Sequence, residues 1–118
     1  MYYPMPVAEL LDRFTIALVK LYYGPGSVKT DAMSQIIKLA PYIDFKPYKQ
    51  LLIQLFTANK ELWILEDQMA EYIKRNNESE IVSTAISIRA TNLKRCNIKK
   101  EIAIIAEETT DAVKYYEQ

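Results

Sequence analysis

The sequence has 118 residues, half of them hydrophobic, and its 15 Lys plus Arg are balanced by 15 Asp plus Glu. That length fits a single domain, 1–118, able to bury a real core. Zero net charge argues against a nucleic-acid or membrane-surface binder, which carries a basic excess.

With no histidine and one cysteine, Cys96, an internal disulfide, a His-based triad and the usual zinc ligand sets are excluded. The start, MYYPMPVAELL, has neither a basic n-region nor a long apolar run, so no signal peptide is expected. No stretch approaches the ~20 apolar residues of a membrane span, and a reducing cytoplasm is the expected setting. Gly24 and Gly26 are the only glycines, too few for a phosphate-binding loop or a turn-rich β architecture.

The first predicted helix covers Val7 to Tyr23, where Leu10, Leu11, Phe14, Leu18, Leu21 and Tyr22 recur at steps of three and four. Gly24-Pro25-Gly26 stops it. A short helix is expected over Asp31 to Leu39, with Thr30 as N-cap, Met33, Ile36, Ile37 and Ala40 as the buried stripe, and Pro41 as terminator. The third helix starts near Pro47 and runs to about Arg75. Its seam reads Tyr48, Leu52, Leu55, Asn59, Leu62, Glu66, Met69, Ile73. After RNNESE, Asn77 and Glu80 have capping-box spacing for a fourth helix from Glu78 to Ala106 or beyond. Ile81, Ala85, Ile88, Asn92, Arg95, Lys99, Ile102 and Ala106 fall on one side of it. Val82, Ile86, Leu93 and Cys96 are expected to widen its apolar face, and Asn97 to bend or end it. The fold class is all-α: a compact bundle of three long helices plus one short helix, expected to be oligomeric.

Polar residues interrupt these stripes. Asp12 and Thr15 share a flank of the first helix. Asn59 and Glu66 lie in the third seam with Trp63 between them and Asp67 beside them, and Asn92, Arg95 and Lys99 share a side of the fourth. One reading is structural: a buried Asn fixes register, and facing acids and bases pair. The other is a polar pocket, because unpaired groups of this number each cost on the order of a few kcal/mol. Trp63 is either core or a wall on which a flat ligand stacks. Of the nine tyrosines, the adjacent pairs Tyr2-Tyr3, Tyr22-Tyr23 and Tyr115-Tyr116 cannot both face one core, so some lie at an interface or a ligand. Cys96 is expected to be an inert buried thiol. The acidic EETTD, Glu107 to Asp111, is similar to one helix of the magnesium-dependent all-helical nucleotide pyrophosphohydrolases, but no second acidic helix follows it. An exposed acidic face is the better reading.

Three segments carry a wider resemblance: ELLDRFTIALVK (Glu9 to Lys20), NKELWILED (Asn59 to Asp67) and NLKRCNIKKEI (Asn92 to Ile102). They resemble the patterns E-L-L-D-x-x-T-I, N-x-x-L-W-x-x-E-D and N-x-x-R-x-x-x-K of small all-helical bacterial and phage proteins of about this length, a family of unknown function. Ala70 stands where that pattern continues with Arg. The resemblance lends no chemistry; it implies a shared polar site at these positions and a phage setting, the host cytoplasm.

The leading expectation is a binding protein without catalysis or cofactor. Its ligand site would comprise Asp12, Thr15, Asn59, Trp63, Glu66, Asn92, Arg95 and Lys99. Arg95 and Lys99 would hold a phosphate or carboxylate. Asn59 and Asn92 would bond polar edges, Trp63 or a tyrosine would stack on a ring, and Asp12 and Glu66 would take hydroxyls or orient the bases. Applied to a phage protein, this becomes a sponge that sequesters a nucleotide immune signal. Two alternatives stand beside it: a metal-dependent nucleotide phosphohydrolase using Asp12, Glu66 and Asp67, and a non-catalytic assembly or adaptor subunit.

Overall fold

Four α-helices account for nearly all of the chain in the computed structural model, which describes residues 5–117, with side chains described through Glu107. They are α1 (Val7–Tyr23), α2 (Gly26–Leu39), α3 (Lys49–Lys74) and α4 (Glu78–Glu117). Short 3-10 turns at Ala40–Tyr42 and Lys46–Tyr48 join α2 to α3. Among the described residues there is no strand, and no helix is long and apolar enough to cross a membrane.

The first helix has the expected bounds. The second is longer than expected: it begins at Gly26, directly after Pro25, and Thr30 lies inside it, its hydroxyl donating to Gly26 O at 3.2 Å. The cap is therefore not Thr30. Proline preorganises the backbone at a helix start, so α2 gains an additional turn upstream. Met33 and Ile37 are exposed, while Ala32 and Leu39 are buried and Ile36 is half-buried.

Between α3 and α4 the chain reverses in three residues. Asn76 takes a left-handed φ of 52°, which Asn tolerates better than most residues. Its N–H donates to Ile73 O (3.1 Å), and the Asn77 N–H donates to Tyr72 O (3.0 Å), which closes the α3 carbonyls in a Schellman arrangement. The Asn77 side chain then caps α4 by accepting from the Glu80 N–H at 3.2 Å. The expected N-cap is thus present, and α4 runs past Asn97 without ending.

The core gathers around α1, which packs against all three other helices. On one side Ala8 and Leu11 meet Tyr48, Leu51, Leu55 and Ile102; on the other Leu10 and Phe14 meet Leu39. Helix lengths matter here. At 1.5 Å per residue α1 spans roughly 25 Å, α3 roughly 39 Å and α4 roughly 60 Å. The described chain measures 61 × 29 × 21 Å. The proximal half of the α3–α4 hairpin is therefore covered by α1, and the distal half is not. Glu66 and Ile73 lie on the predicted α3 seam but are exposed: Glu66 stands beside Val19 and Lys20 of α1 in a shared depression without being covered by them.

Among the described side chains of α4 the buried ones are Thr84, Thr91 and Ile102. Thr91 returns its hydroxyl to Ser87 O at 2.9 Å, so its methyl can face inward. Val82, Ile86, Leu93 and Cys96 do not widen this face; all four are exposed. At 100° per residue the three apolar ones stand roughly 180° from Thr84, Thr91 and Ile102.

Gly24 is required at the α1–α2 corner. A Cβ there would stand 2.6 Å from Lys20 O and 2.7 Å from Val28 Cγ1, whereas one at Gly26 would meet nothing within 4 Å. Gly24→Ala should therefore destabilise by about 1–3 kcal/mol, and Gly26→Ala should be neutral or stabilising by about 0.5 kcal/mol. Urea unfolding of the two variants side by side checks the contrast.

Candidate functional site

Five of the polar residues singled out by periodicity meet at one place. Asp12 is 2 % exposed and lies where α1 faces both α3 and α4. Its Oδ1 accepts from Asn59 Nδ2 at 3.1 Å and from Arg95 Nε at 3.0 Å. Its Oδ2 accepts from Arg95 Nη2 and lies 3.7 Å from Lys99 Nζ. Asn59 Nδ2 also donates to Thr15 Oγ1 at 2.9 Å, and the Thr15 hydroxyl turns back onto the Leu11 and Asp12 carbonyls of its own helix. Lys99 bridges Asp12 to Glu9.

Among the described residues no buried side-chain nitrogen or oxygen lacks a partner. The cost of unpaired groups, which favoured a pocket at these positions, therefore does not arise here. Asp12 and Thr15 are enclosed by their own partners. Lys99 is engaged by two carboxylates and is no longer a free anion holder.

Burial works against ionisation of Asp12, but the hydrogen bonds from Arg95 and Asn59 and the charges of Arg95 and Lys99 outweigh it, so the carboxyl sits below its ordinary value of 3.8. In turn, the Asp12 hydrogen bond raises Arg95 above its ordinary value. Arg meets this carboxylate as a two-pronged fork, which fixes orientation as well as charge.

Next to this network lies a depression of about 180 Å³ between α1, α3 and α4. Trp63 and Glu66 line it together with Arg95, Asn59, Ile16 and Lys20. Trp63 is half-buried, part packing and part wall. A second depression of about 430 Å³, between α1 and α2, is lined by Arg13, Lys20, Asp31 and Gln35 and shares Ile16 and Lys20 with the first. Ile16 and Lys20 thus separate two halves of one groove along the open side of α1.

The remaining expected residues lie apart. Asn92 is exposed on α4, turned away from the buried line of Thr84, Thr91 and Ile102. Asp67 is also exposed. The metal reading of Asp12, Glu66 and Asp67 is not supported: among the described residues no three Cys, Asp or Glu side chains stand close enough to hold an ion, and Asp12 is already neutralised by Arg95 and Lys99. Cys96 is exposed rather than buried. The side chains of Glu108 to Asp111, and of Tyr2, Tyr3, Tyr115 and Tyr116, lie outside the described residues.

Sequence reasoning missed Arg13, Lys20, Gln35 and Glu9. Arg13 and Lys20 are seven apart with Ile16 between them, a spacing that reads as a solvated face. Only the placement of α2 and α3 turns that face into a groove.

Breaking the central pair should be costly. Asp12→Asn leaves Arg95 half-buried without its counter-charge and should lower unfolding free energy at neutral pH by about 3–5 kcal/mol. Because the folded pKa is depressed, the stabilisation is fully present above pH 3.8 and is lost as pH falls through the lower folded value. Urea unfolding from neutral to acid pH should show this loss in the wild type and a flatter profile in Asp12→Asn. Comparison with family models, curated proteins and solved structures finds no match to this chain.

Proposed function

We propose that the protein binds a small anionic, ring-bearing ligand of nucleotide type in the groove along α1 and holds it without cleaving it. The observation that carries this reading is the shared wall: Lys20 borders both depressions, with Arg13 on one side and Arg95 on the other. Two half-sites of about 430 and 180 Å³ that meet at a lysine suit a ligand with a charged middle and a flat end.

Each residue has a role set by its position. Lys20 and Arg13 supply charge for a phosphate. Arg95 offers the part of its guanidinium not turned toward Asp12, so Asp12 acts as a positioning residue behind it. Trp63 gives a ring face for stacking, Asn59 and Gln35 supply polar contacts, and Glu66 at the rim accepts from ligand hydroxyls. Retention without turnover is supported by the state of Asp12, the one buried carboxylate among the described residues: held between Arg95 and Lys99 and kept ionised, it is poorly placed to act as a general base. The resemblance to small phage proteins extends the reading to a counter-defence sponge for a nucleotide immune signal.

Trp63 is the only tryptophan, so its fluorescence reports on the groove directly. Titration with ATP, a linear dinucleotide and a cyclic dinucleotide should quench it for at least one of them, and mass spectrometry of the filtrate after denaturation should recover that ligand intact. Lys20→Glu should weaken binding at least tenfold with an unchanged thermal midpoint. No response to any of the three, or recovery of a hydrolysed ligand, would overturn the proposal.

A further inference from the structure

The fourth helix has two apolar sides, and the fold uses one. Thr84, Thr91, Ile98 and Ile102 face the other helices. Val82, Ile86, Leu93 and Ile104 are 60 %, 66 %, 63 % and 56 % exposed. At 100° per residue these four fall within about 40° of one another, on the side away from Arg95 and the groove. They define a straight stripe roughly 33 Å long, with Lys100 at the phase of Val82 between Leu93 and Ile104 and Arg89 at its margin. A helix apolar on opposite sides is normally covered on both.

The amount of exposed surface points the same way. A compact monomer of 13.7 kDa exposes roughly 6,600 Å², whereas this chain exposes 8280 Å². Its radius of gyration is 16.9 Å, against roughly 13.5 Å for a compact domain of this length. The surplus surface exceeds the roughly 800 Å² per partner of a standard protein–protein interface.

The charges in and beside the stripe select how a second copy can lie. Between Glu80 and Glu101, α4 carries Arg89, Lys94, Arg95, Lys99 and Lys100 and no acid. A parallel second copy in register would set Arg89 on Arg89 and Lys100 on Lys100, like charges in direct opposition. An antiparallel copy centred on Leu93 behaves differently. Val82 and Ile104 are each eleven residues from Leu93, so each meets the other across the axis. In the same register Arg89 faces Asn97, Lys94 faces Asn92, Lys100 faces Ile86 and Cys96 faces Ala90. No basic residue of α4 meets another basic residue directly across the pair.

We infer that two copies of this chain associate through the outer stripe of α4, antiparallel about a two-fold axis at Leu93, with Val82 of one copy against Ile104 of the second. A two-fold interface of this kind is self-complementary and closes at the dimer. Because the stripe lies opposite Arg95, each copy keeps its groove open, and the inference does not depend on what the groove binds.

Sedimentation of the full-length protein across micromolar concentrations tests it, with twice 13.7 kDa as the expected mass. Leu93→Glu and Ile86→Glu should each give a monomer with unchanged far-ultraviolet circular dichroism. In a Cys96→Ser background, Leu93→Cys should form a covalent dimer on mild oxidation. The double variant Val82→Cys with Ile104→Cys should cross-link between chains, since the two positions are too far apart on one helix to join within a chain. A monomeric wild type overturns the inference. So does a dimer that persists in Leu93→Glu, which would place the contact on another face, and so does a dimer in which neither cysteine design cross-links.

Discussion

The Asp12 carboxylate is the point on which the helix arrangement depends. It receives Asn59 from α3 and Arg95 and Lys99 from α4, so one side chain of α1 specifies the position of both arms of the hairpin. Hydrophobic contacts are non-directional and specify the register of α1 on that hairpin less sharply than a buried polar group does. A buried, fully bonded charge holds that register, because any slip strands the charge without partners at a cost of several kcal/mol. The network therefore contributes position more than raw stability, and its contribution to stability is greatest once the carboxyl is ionised.

That register determines what reaches the surface. With α1 fixed by Asp12, its neighbours Ile16 and Lys20 fall at the junction of the two depressions, and Arg95, bonded to Asp12, lines the smaller one together with Trp63. The groove is thus a consequence of the buried pair. A substitution at Asp12 disturbs the groove through Arg95 even though the carboxylate never touches it.

Much of this arrangement was legible in the sequence. The bounds of α1, the start and end of α3, the Asn77 cap and the meeting of Asp12, Thr15, Asn59, Arg95 and Lys99 all follow from periodicity and capping chemistry. What periodicity could not supply was whether the meeting residues satisfy one another, since that depends on distances of a few tenths of an ångström. It also misjudged α4, where Thr84 and Thr91 were passed over as polar although a threonine that bonds its own helix buries readily. The stripe chosen instead, through Asn92, is centred roughly 60° away from the buried line. Glu66 failed for a different reason: it is on the seam by phase, but it stands exposed in the depression it shares with Val19 and Lys20 rather than buried under α1.

The unequal helix lengths connect the remaining features. A short α1 leaves the distal hairpin with few burying neighbours. There α4 presents Val82 and Ile86 to solvent, continued by Leu93 and Ile104. Were α1 as long as α3, more of the hairpin would be covered on that side. The outer stripe would remain, because it faces away from every other helix of its own chain. Groove and stripe therefore arise from separate causes, one from the register that Asp12 sets for α1 and the other from the second apolar side of α4. A surface change that abolishes one should leave the other intact.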